Sequence, residues 1–573
     1  MDREAIVRYV RQLATPAFLW LVLLASGSAF ADNSKISPDL LPVLSNPSQT
    51  VNVIVQYNSA PQTCASSGFL GAVTCTAVNV VDGVANVVFS LINAVAATLQ
   101  PSDIIALSNQ PNVTYISLDR SVNASLDYAA DAVYAPDAWN SGLDGTGIGI
   151  AIIDSGIYPH PDLKSRFGQS RVVYRKSFIS GTIQYDDYGH GTHVAGIAAG
   201  NANMSSMPGS LHVLRGIAPN ANLLDLRVLD RNGVSTDSAV IAALQQAVQL
   251  KNKYNVRVIN LSLGRPIYES CNLDPLCQAV EAAWKNGIVV VTAAGNLGRN
   301  GYATVTSPGN SPHAVTVGCM KTLETYPRSD DLIASYSSRG PTYVDLTVKP
   351  DLVAPGNLVV SLLAPGSTLA SEYPANVVPP SYYTSSANTG PAEYFRLSGT
   401  SMATPVVSGA AALMLQQNPG LSPDTVKARL MKTATKNFPA YSTATDPTTG
   451  TTYVDTYDIF TIGAGYLDIQ AALLSTDIAY GSAASPSVVY NPFIQQAYLT
   501  TPSNSIWGQS RNVVWGSGNV WGTNVVWGST VLVNGTNVVW GSNVVWGSSD
   551  IWGTNVVWGS NVVWGSTAGN GEN

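Results

Sequence analysis

The sequence is poor in charged residues and has only five histidines and five cysteines. Asp, Glu, Lys and Arg make up 11% of its 573 residues, against about a quarter in an average soluble protein. The formal net charge is −7 and no long basic run occurs, which argues against nucleic-acid binding as the main role. The shortfall in charged residues is made up by glycine, serine, threonine, asparagine and proline. We therefore expect long ordered loops rather than charged helices.

No pair of cysteines has the C-x-x-C spacing of a zinc site, and the odd number leaves at least one outside any intrachain disulfide. Cys271 and Cys277 lie close together among turn-forming residues, and we predict a disulfide between them once the protein is exported. Cys64 and Cys75 are a second candidate pair. Cys319 lies in an apolar run and is predicted to pack as a buried thiol.

Long apolar runs are absent from the sequence except near its N-terminus. There, three arginines precede the apolar stretch 17–25, and Ala29-Phe30-Ala31 matches the small-residue pattern of a signal-peptide cleavage site. The stretch is short for a membrane anchor. The sequence therefore predicts a signal peptide over residues 1–31 and a secreted protein.

A chain of this length is expected to form several units. Residues 50–118 predict a small α+β unit, with strands at 51–55, 84–89 and 113–116 and helices at 89–99 and 101–108. From residue 145 to about 474, short β-branched runs alternate with helical segments, which is typical of an α/β fold with a parallel sheet covered by helices on both faces. Strands are predicted at 148–153, 223–229, 256–263, 288–293 and 314–318, and helices at 193–200, 238–251 and 275–286.

A repeat begins after about residue 503. The unit Asn-Val-Val-Trp-Gly-Ser recurs mostly every six residues, and nine of the twelve tryptophans lie in this tail. An even period puts Val and Trp on one side of an extended chain. Two hypotheses stay open: a stacked β appendage that binds a cell surface or an insoluble substrate, and a repetitive extension without a specific function.

Three segments marked by glycine contain the residues that best suit catalysis. Asp154 ends a predicted buried strand in Ile-Ile-Asp-Ser-Gly, His190 stands between glycines in Gly-His-Gly-Thr-His, and Ser401, in Gly-Thr-Ser-Met-Ala, precedes a run of small and apolar residues. The last pattern predicts a serine at the start of a buried helix, where backbone N–H groups and the helix dipole favour negative charge. A serine nucleophile needs an adjacent base, and the base needs an acid to fix its tautomer.

Each segment also has a simpler interpretation. Asp-Ser-Gly is an ordinary turn, and Ser or Thr is a common helix N-cap. His190 and His193 are spaced to share a helix face and a metal ion, although no His-Glu-x-x-His motif is present. The chain order Asp, His, Ser differs from the orders of α/β-hydrolases and of chymotrypsin.

In order and spacing, the three segments resemble the signatures of the subtilisin (subtilase) family. The resemblance covers about residues 140–470 and includes Ser337-Ser338-Arg339-Gly340-Pro341 and, at 349–356, Lys-Pro-Asp-Leu-Val-Ala-Pro-Gly. It implies a subtilisin-like three-layer fold with a mainly parallel sheet. It also implies a serine endopeptidase that works through an acyl-enzyme intermediate and needs no cofactor for the chemistry.

The resemblance assigns roles by position. The catalytic residues would be Asp154, His190, Ser401 and Asn296, the last as the side chain of the oxyanion hole. The residues that line the substrate cleft would be Ser262, Leu263, Gly264, Gly233, Val234, Ser235, Ala293, Ala294 and Gly295. His193 would be structural, and Thr306 matches a pocket-floor position that is often glycine in the family, which implies a shortened pocket. Asp162 matches a calcium-ligand position, but the rest of that loop is not recognisable, and bound calcium stays an open alternative.

The unit 50–118 resembles the inhibitory propeptide of subtilases, so we expect a precursor that cleaves itself between about Arg120 and Ala130. The predicted domains are a signal peptide (1–31), a propeptide (32–122), a peptidase domain (123–475), a linker (476–502) and the repeat tail (503–573). The expected partners are protein or peptide substrates and the chain's own propeptide. Two competing interpretations are an inert, adhesive protein with a peptidase-like domain and a metal-dependent hydrolase that uses His190 and His193.

Overall fold

The computed structural model describes residues 32–38, 40–45, 49–59, 84–119, 123–124, 130–179, 185–206, 210–325, 328–384, 390–446, 449–491 and 496–508. The predicted signal peptide, Cys64 and Cys75, and the repeats after residue 508 lie outside these residues. The chain divides into two compact units: residues up to 86 together with 95–118 form the first, and residues 87–94 together with those from 119 onward form the second.

The N-terminal unit contains a four-stranded sheet in the order β2-β3-β1-β4. Its elements are β1 (Val51–Tyr57), β2 (Val84–Phe89), β3 (Ala94–Leu99), α1 (Pro101–Ser108) and β4 (Val113–Leu118). The predicted strand 84–89 and the predicted helix 101–108 are confirmed, and α1 begins with a proline, as helices often do. The predicted helix over 89–99 is wrong. Its second half is β3, which lies between β2 and β1 with mostly buried side chains, so pairing on two sides outweighs its helical spacing.

The larger unit contains the remaining strands and helices. The strands are β5 (Asn123–Ala124), β6 (Gly149–Asp154), β7 (Val172–Ser177), β8 (Asn222–Arg227), β9 (Val256–Leu261), β10 (Leu263–Gly264), β11 (Val289–Ala293), β12 (Val315–Lys321), β13 (Leu332–Ile333), β14 (Leu352–Pro355), β15 (Val359–Leu362), β16 (Val377–Val378), β17 (Tyr394–Leu397), β18 (Tyr441–Thr445), β19 (Thr452–Thr456), β20 (Ser487–Asn491) and β21 (Gln496–Thr500). The helices are α2 (Ala135–Asn140), α3 (His190–Ala199), α4 (Asp237–Tyr254), α5 (Pro275–Lys285), α6 (Thr368–Glu372), α7 (Pro380–Tyr383), α8 (Thr400–Gln417), α9 (Pro423–Thr433) and α10 (Ile469–Leu474).

The core of this unit is an eight-stranded sheet. The strand order in this sheet is β13-β12-β11-β9-β6-β8-β7, and β14 also pairs with β12. The strand pairs are parallel except β12 with β13. All six residues of β6 are buried, as expected for a strand covered on both faces. The predicted α/β fold with a mainly parallel sheet is confirmed.

Two groups of helices cover the sheet. Helices α3 and α8 pack against each other, and α8 also packs on β9, β11 and β12. Helices α4 and α5 pack against each other and on β9 and β11. Helix α8 is buried from Thr400 to Leu415, which explains why this segment is made of small and apolar residues. The three layers bring the carboxyl ends of β6, β9 and β11 side by side.

Described residues of the segment predicted as a linker, 476–502, contact this unit. The Ser485 hydroxyl donates to the buried Asp351 carboxylate at 2.6 Å, and β20 and β21 form a hairpin. Trp507, expected in the tail, is 3% exposed, and its indole N–H donates to the Ala484 carbonyl at 2.6 Å. No local sequence pattern indicates this packing. The carboxylate that Ser485 contacts lies more than a hundred residues away, and the carbonyl that Trp507 contacts lies outside any periodic segment.

The cysteines follow the prediction where the structure describes them. Cys271 and Cys277 form a disulfide, with their Cα atoms 5.3 Å apart. Cys319 is buried, and its Sγ lies 3.3 Å from the Tyr336 hydroxyl. Within the described ranges, no helix has both the length and the apolar character needed to cross a membrane.

Candidate active site

Asp154 and His190 form a buried pair at the carboxyl end of β6. Asp154 is the last residue of β6, and His190 is the first residue of α3. The imidazole Nδ1 lies 2.6 Å from Asp154 Oδ1, which also accepts the Ser155 N–H at 2.7 Å. Both side chains are fully buried. A proton held between Nδ1 and the carboxylate leaves Nε2 as the basic nitrogen, which is the tautomer that a general base needs.

Asp186 fixes the start of α3. Its carboxylate accepts the N–H groups of Gly189 and Thr192, both at 2.8 Å, and the Ser155 hydroxyl at 2.8 Å. Burial raises the pKa of Asp186, and the hydrogen bonds to its charged form oppose that rise. Asp186 thus ties the residue after Asp154 to the first turn of the helix that carries the histidine. Sequence analysis missed it, although an acid just ahead of a helix N-terminus was an available signal.

Ser401 is the second residue of α8 and contacts the chain that leaves β9. Its hydroxyl donates to the Ser262 carbonyl at 3.1 Å, and the Ser262 hydroxyl donates to the Ser401 carbonyl at 2.6 Å. Pro405, four residues further along the helix, has no N–H to bond that carbonyl. The Ser262 hydroxyl therefore donates to the carbonyl that a backbone N–H at position 405 would otherwise bond. The two serines fix each other's positions through these two hydrogen bonds.

Asn296 follows β11 and turns its amide oxygen toward α8. Asn296 Oδ1 accepts the Thr400 N–H at 2.9 Å and the Thr400 hydroxyl at 3.2 Å. The Gly295 N–H donates to Thr400 Oγ1 at 3.1 Å. Since Thr400 holds the oxygen of the amide, the NH₂ group lies on the opposite side, which is the orientation an oxyanion-hole donor needs. The contact joins residues 104 positions apart, so no local sequence pattern indicates it.

The predicted cleft residues lie on segments beside these groups. Strand β10 directly follows Ser262 and pairs antiparallel with β5, with Leu263 opposite Ala124 and Gly264 opposite Asn123. This strand therefore accepts a chain segment through its backbone. Ala293 ends β11, and Ala294 and Gly295 lead to Asn296.

The predicted segment Gly233-Val234-Ser235 lies near His190. A Cβ on Gly233 would lie 2.5 Å from the Tyr188 ring, and the centroid of that ring is 6.3 Å from the His190 ring. Val234 is 39% exposed and donates its N–H to Asp230 Oδ1 at 2.9 Å. The segment is thus a turn beside the Asp154–His190 pair.

His193 belongs to the packing of α3. Its ring Nε2 lies 3.1 Å from the Phe395 carbonyl, and burial lowers its pKa to about 3, so the ring is neutral at physiological pH. The two histidines contact different partners, His190 on Asp154 and His193 on Phe395. Among the residues that the structure describes, no group of three or more His, Cys, Asp or Glu side chains is arranged to hold a metal ion.

Asp162, predicted as a possible calcium ligand, lies in a buried hydrogen-bond network. Its Oδ2 accepts the Tyr394 hydroxyl at 2.6 Å, and its Oδ1 accepts the Met204 N–H at 2.7 Å. Burial raises the pKa of the carboxyl group, so its surroundings disfavour charge. Calcium needs six to eight oxygen ligands, and here both carboxylate oxygens already serve protein donors. We therefore derive no role for calcium at this position.

The groups described above converge on one edge of the sheet. Asp154 ends β6, Ser262 follows β9 and Asn296 follows β11, and these three parallel strands are neighbours. A buried acid–histidine pair, a serine in the first turn of a buried helix and an oriented amide are the arrangement of a serine hydrolase on an α/β fold. The fold and the site thus define the class of the protein.

Comparisons with known proteins narrow that class. The sequence profile of the subtilase family matches residues 145–452. Serine protease AprX of Bacillus subtilis (strain 168) is 40% identical over 360 residues, which cover 61% of this chain and 76% of the relative. Alkaline protease of Alkalihalobacillus alcalophilus and subtilisin E of Bacillus subtilis (strain 168) are each 35% identical, over 350 and 353 residues, or 75% and 77% of their lengths.

The chain belongs to the subtilase family and is a subtilisin-like serine endopeptidase. Membership implies protein substrates and a reaction that needs no cofactor.

Proposed function

We propose that this chain is a secreted, self-processed endopeptidase whose catalytic triad is Asp154, His190 and Ser401. The observation that carries the proposal is the convergence of the buried Asp154–His190 pair, the Ser262–Ser401 contacts and Asn296 on the carboxyl ends of adjacent strands.

In the proposed reaction, His190 Nε2 takes the proton of Ser401 Oγ as that oxygen attacks the carbonyl carbon of the scissile bond. Asp154 holds the Nδ1 proton and stabilises the imidazolium that forms. His190 then gives the proton to the leaving amine, which yields an acyl-enzyme. Water, activated by the same histidine, attacks the ester and releases the second product.

The oxyanion of the tetrahedral intermediate would accept hydrogen bonds from the Asn296 NH₂ group and the Ser401 backbone N–H. The Ser401 N–H belongs to the first turn of α8, whose N–H groups point out of the helix end. The Asn296 amide is oriented in advance by Thr400, so it does not have to reorganise as charge develops.

Self-processing is supported by the chain that follows the N-terminal unit. Asn123 and Ala124 pair with β10 in the antiparallel manner in which a substrate adds to a strand edge. Asp119, just ahead of them, is anchored at the start of α4, where its Oδ1 accepts the Ser238 N–H at 2.6 Å. The chain thus enters the proposed cleft from a fixed point.

We propose a processing site from the register of β5 with β10. In a substrate that keeps this antiparallel register, the residue that follows the one opposite Leu263 would lie opposite Ser262, whose carbonyl accepts the Ser401 hydroxyl. We therefore assign cleavage to the bond between Ser125 and Leu126. This narrows the interval 120–130 expected from the sequence.

Expression of wild type and Ser401→Ala in a protease-free host tests the proposal. The wild type should yield a mature chain that begins at Leu126, and Ser401→Ala should remain a precursor. Ser408→Ala, on the same buried helix, is the matched control and should still be processed. Mature-length Ser401→Ala protein contradicts self-processing by Ser401, whereas a wild-type N-terminus at another residue contradicts only the assigned bond.

Secretion and the role of the tail complete the proposal. The pattern of residues 1–31 supports export, and the Cys271–Cys277 disulfide suits an oxidising compartment. For the repeats after residue 508 we propose retention on a cell surface or on insoluble substrate. Their Trp-Gly pair also occurs at Trp507, which is buried in the enzyme.

Truncation tests the tail, and its position matters. A chain ended after Gly508 keeps Trp507 and should retain its kcat/KM on small peptides while losing retention on cells or insoluble protein. Retention equal to that of the full chain would show that the repeats have no such role.

A further inference from the structure

Arg265 directly follows β10, the strand that pairs with Asn123–Ala124. Its backbone exchanges two hydrogen bonds with Ser307, at 2.8 and 2.9 Å. The side chain is 1% exposed, which is unusual for a charged group, because a buried guanidinium without partners is costly. The contacts of this guanidinium therefore show what holds the end of β10 in place.

The guanidinium pairs with the start of α4. Arg265 Nε donates to Asp237 Oδ1 at 3.0 Å, and Nη2 donates to Asp237 Oδ2 at 3.0 Å, so the contact is bidentate. Asp237 is the first residue of α4, and the turn Gly233-Val234-Ser235 ends two residues before it. The Arg265–Asp237 pair thus joins the two backbone segments that are proposed to border the substrate, 233–235 and 263–264.

Asp274 holds the same guanidinium from a third element. Nη2 of the arginine also donates to Asp274 Oδ1 at 2.8 Å, and Asp274 Oδ2 accepts the Ser307 hydroxyl at 2.8 Å. Asp274 caps α5 through the Leu276 N–H and lies inside the loop that the Cys271–Cys277 disulfide closes. Both carboxylates are fully buried, so displacement of the arginine leaves buried charges without a partner. The network is therefore rigid.

We propose that Arg265 is a positioning residue that fixes the distance between segments 233–235 and 263–264, so that an extended peptide can add to both at once. The inference rests on the proposed function, because the two segments border a substrate only if Ser401 is the nucleophile. A peptide that pairs with two edges through its backbone is held productively only when the edges are correctly spaced. A substrate with one residue before the scissile bond makes few of these contacts and should depend little on the spacing.

The test measures kcat/KM of the mature protein for two substrates that share the leaving group and the residue before the scissile bond. One is that single acylated residue, and the other is a tetrapeptide that ends in it. The wild type should prefer the tetrapeptide. Arg265→Lys keeps the charge, but an ammonium group cannot replace the bidentate contact. Its kcat/KM should fall about tenfold or more for the tetrapeptide, since misplacement by about 1 Å can cost up to about 10²-fold, and should stay unchanged for the single residue.

Arg171→Lys is the matched control. Arg171 is also buried, and its guanidinium donates to the carbonyls of Asp162, Ala199 and Ala221 at 2.6 to 2.8 Å. These carbonyls belong to segments that are not proposed to border the substrate. The control loses the same planar group from a buried site and should keep the wild-type ratio of the two kcat/KM values. A fall of equal size in both variants overturns the inference.

The other outcomes separate the two proposals. An unchanged ratio in Arg265→Lys overturns the inference and leaves the proposed function intact. An equal loss on both substrates, with slower fluorophosphonate labelling of Ser401, also overturns it, because the effect then lies on the catalytic groups. A wild type that is neither labelled nor active contradicts the proposed function. If Arg265→Lys does not fold, Asp237→Asn, which keeps the shape and removes the charge, should lower the preference for the tetrapeptide, and an unchanged ratio overturns the inference.

Discussion

Ser262 and Ser401 hold each other by two hydrogen bonds of opposite direction. The Ser262 hydroxyl donates to the Ser401 carbonyl at 2.6 Å, and the Ser401 hydroxyl donates to the Ser262 carbonyl at 3.1 Å. The exchange is possible because Pro405 supplies no N–H to the Ser401 carbonyl. The residue between β9 and β10 thus also fixes the first turn of α8.

Ser262→Ala should lower the free energy of unfolding by about 1–3 kcal/mol, because it leaves the buried carbonyl of residue 401 without its donor. Urea unfolding in the Ser401→Ala background, where self-digestion is absent, measures the change. Pro405→Ala introduces a backbone N–H at the helical position that faces this carbonyl. In a double-mutant cycle, Ser262→Ala should therefore cost less when combined with Pro405→Ala. Equal costs in both backgrounds would contradict the proposed relationship.

Asn296→Leu should lower kcat by about 10²–10³ and change KM little, because the amide meets charge that develops in the transition state. Subtilisin itself is the reference case for this range, so the figure comes from the family and not from the geometry. Steady-state kinetics on one small peptide measures both constants. Asn300→Leu, exposed on the neighbouring loop, is the control and should keep both. An unchanged kcat with a raised KM would show that Asn296 binds substrate instead.

The three glycine-marked segments could be located from the sequence because tight packing leaves a local trace. A Cβ on Gly191 would collide with the Gly156 carbonyl, so the histidine segment needs glycine where it contacts the aspartate segment. Gly156 has a φ of +116° and its Cβ would collide with the Tyr185 carbonyl, so the aspartate segment needs glycine as well. Such a requirement appears in the sequence as glycine beside a polar residue. The parallel sheet was predictable for a similar reason, since buried strands read as short β-branched runs.

The residues that sequence analysis missed act through long-range contacts. Asp186 contacts Ser155, 31 positions away, and Thr400 contacts Asn296, 104 positions away. Neither pair leaves a periodic pattern. The helix predicted where β3 lies was wrong for a related reason. Small apolar residues suit a helix locally, but pairing with the neighbouring strands decides the structure here. Trp507 carries the sequence of a repeat, and only its buried contacts distinguish it from the tail.

Asp186→Asn should lower kcat at least about tenfold with little change in KM, because an amide NH₂ now faces donors that the carboxylate accepted, and misplacement of the base is costly. Asp186 is a positioning residue in this account. The rate at which a fluorophosphonate labels Ser401 should fall in parallel, a readout that a loss of global stability alone does not move.

The matched control for this change is Asp187→Asn. Asp187 contacts Arg227 at 3.0 Å and is partly exposed. It should keep the kcat and the labelling rate of the wild type. Loss of activity of equal size in both variants would show that the effect comes from the loop as a whole and not from the Asp186 contacts.

His193 should make the fold sensitive to acid. Burial lowers its pKa in the folded state to about 3, whereas the unfolded state takes up a proton near 6.5. The free energy of unfolding should therefore fall as the pH falls from about 6.5 toward 3, by roughly 1.4 kcal/mol per pH unit for this one group. His193→Gln keeps an N–H for the Phe395 carbonyl and does not titrate. Urea unfolding at several pH values in the Ser401→Ala background should show a shallower slope for His193→Gln, and identical slopes would contradict the neutral buried ring.

The measurement that tests the central claim most directly is labelling of the mature enzyme with a fluorophosphonate, followed by peptide mapping and a peptide-hydrolysis assay on the same sample. The account predicts one adduct per chain, on Ser401, with activity lost in proportion to labelling and no labelling of His190→Ala. An adduct on another serine, or full activity in a chain labelled at Ser401, would contradict it.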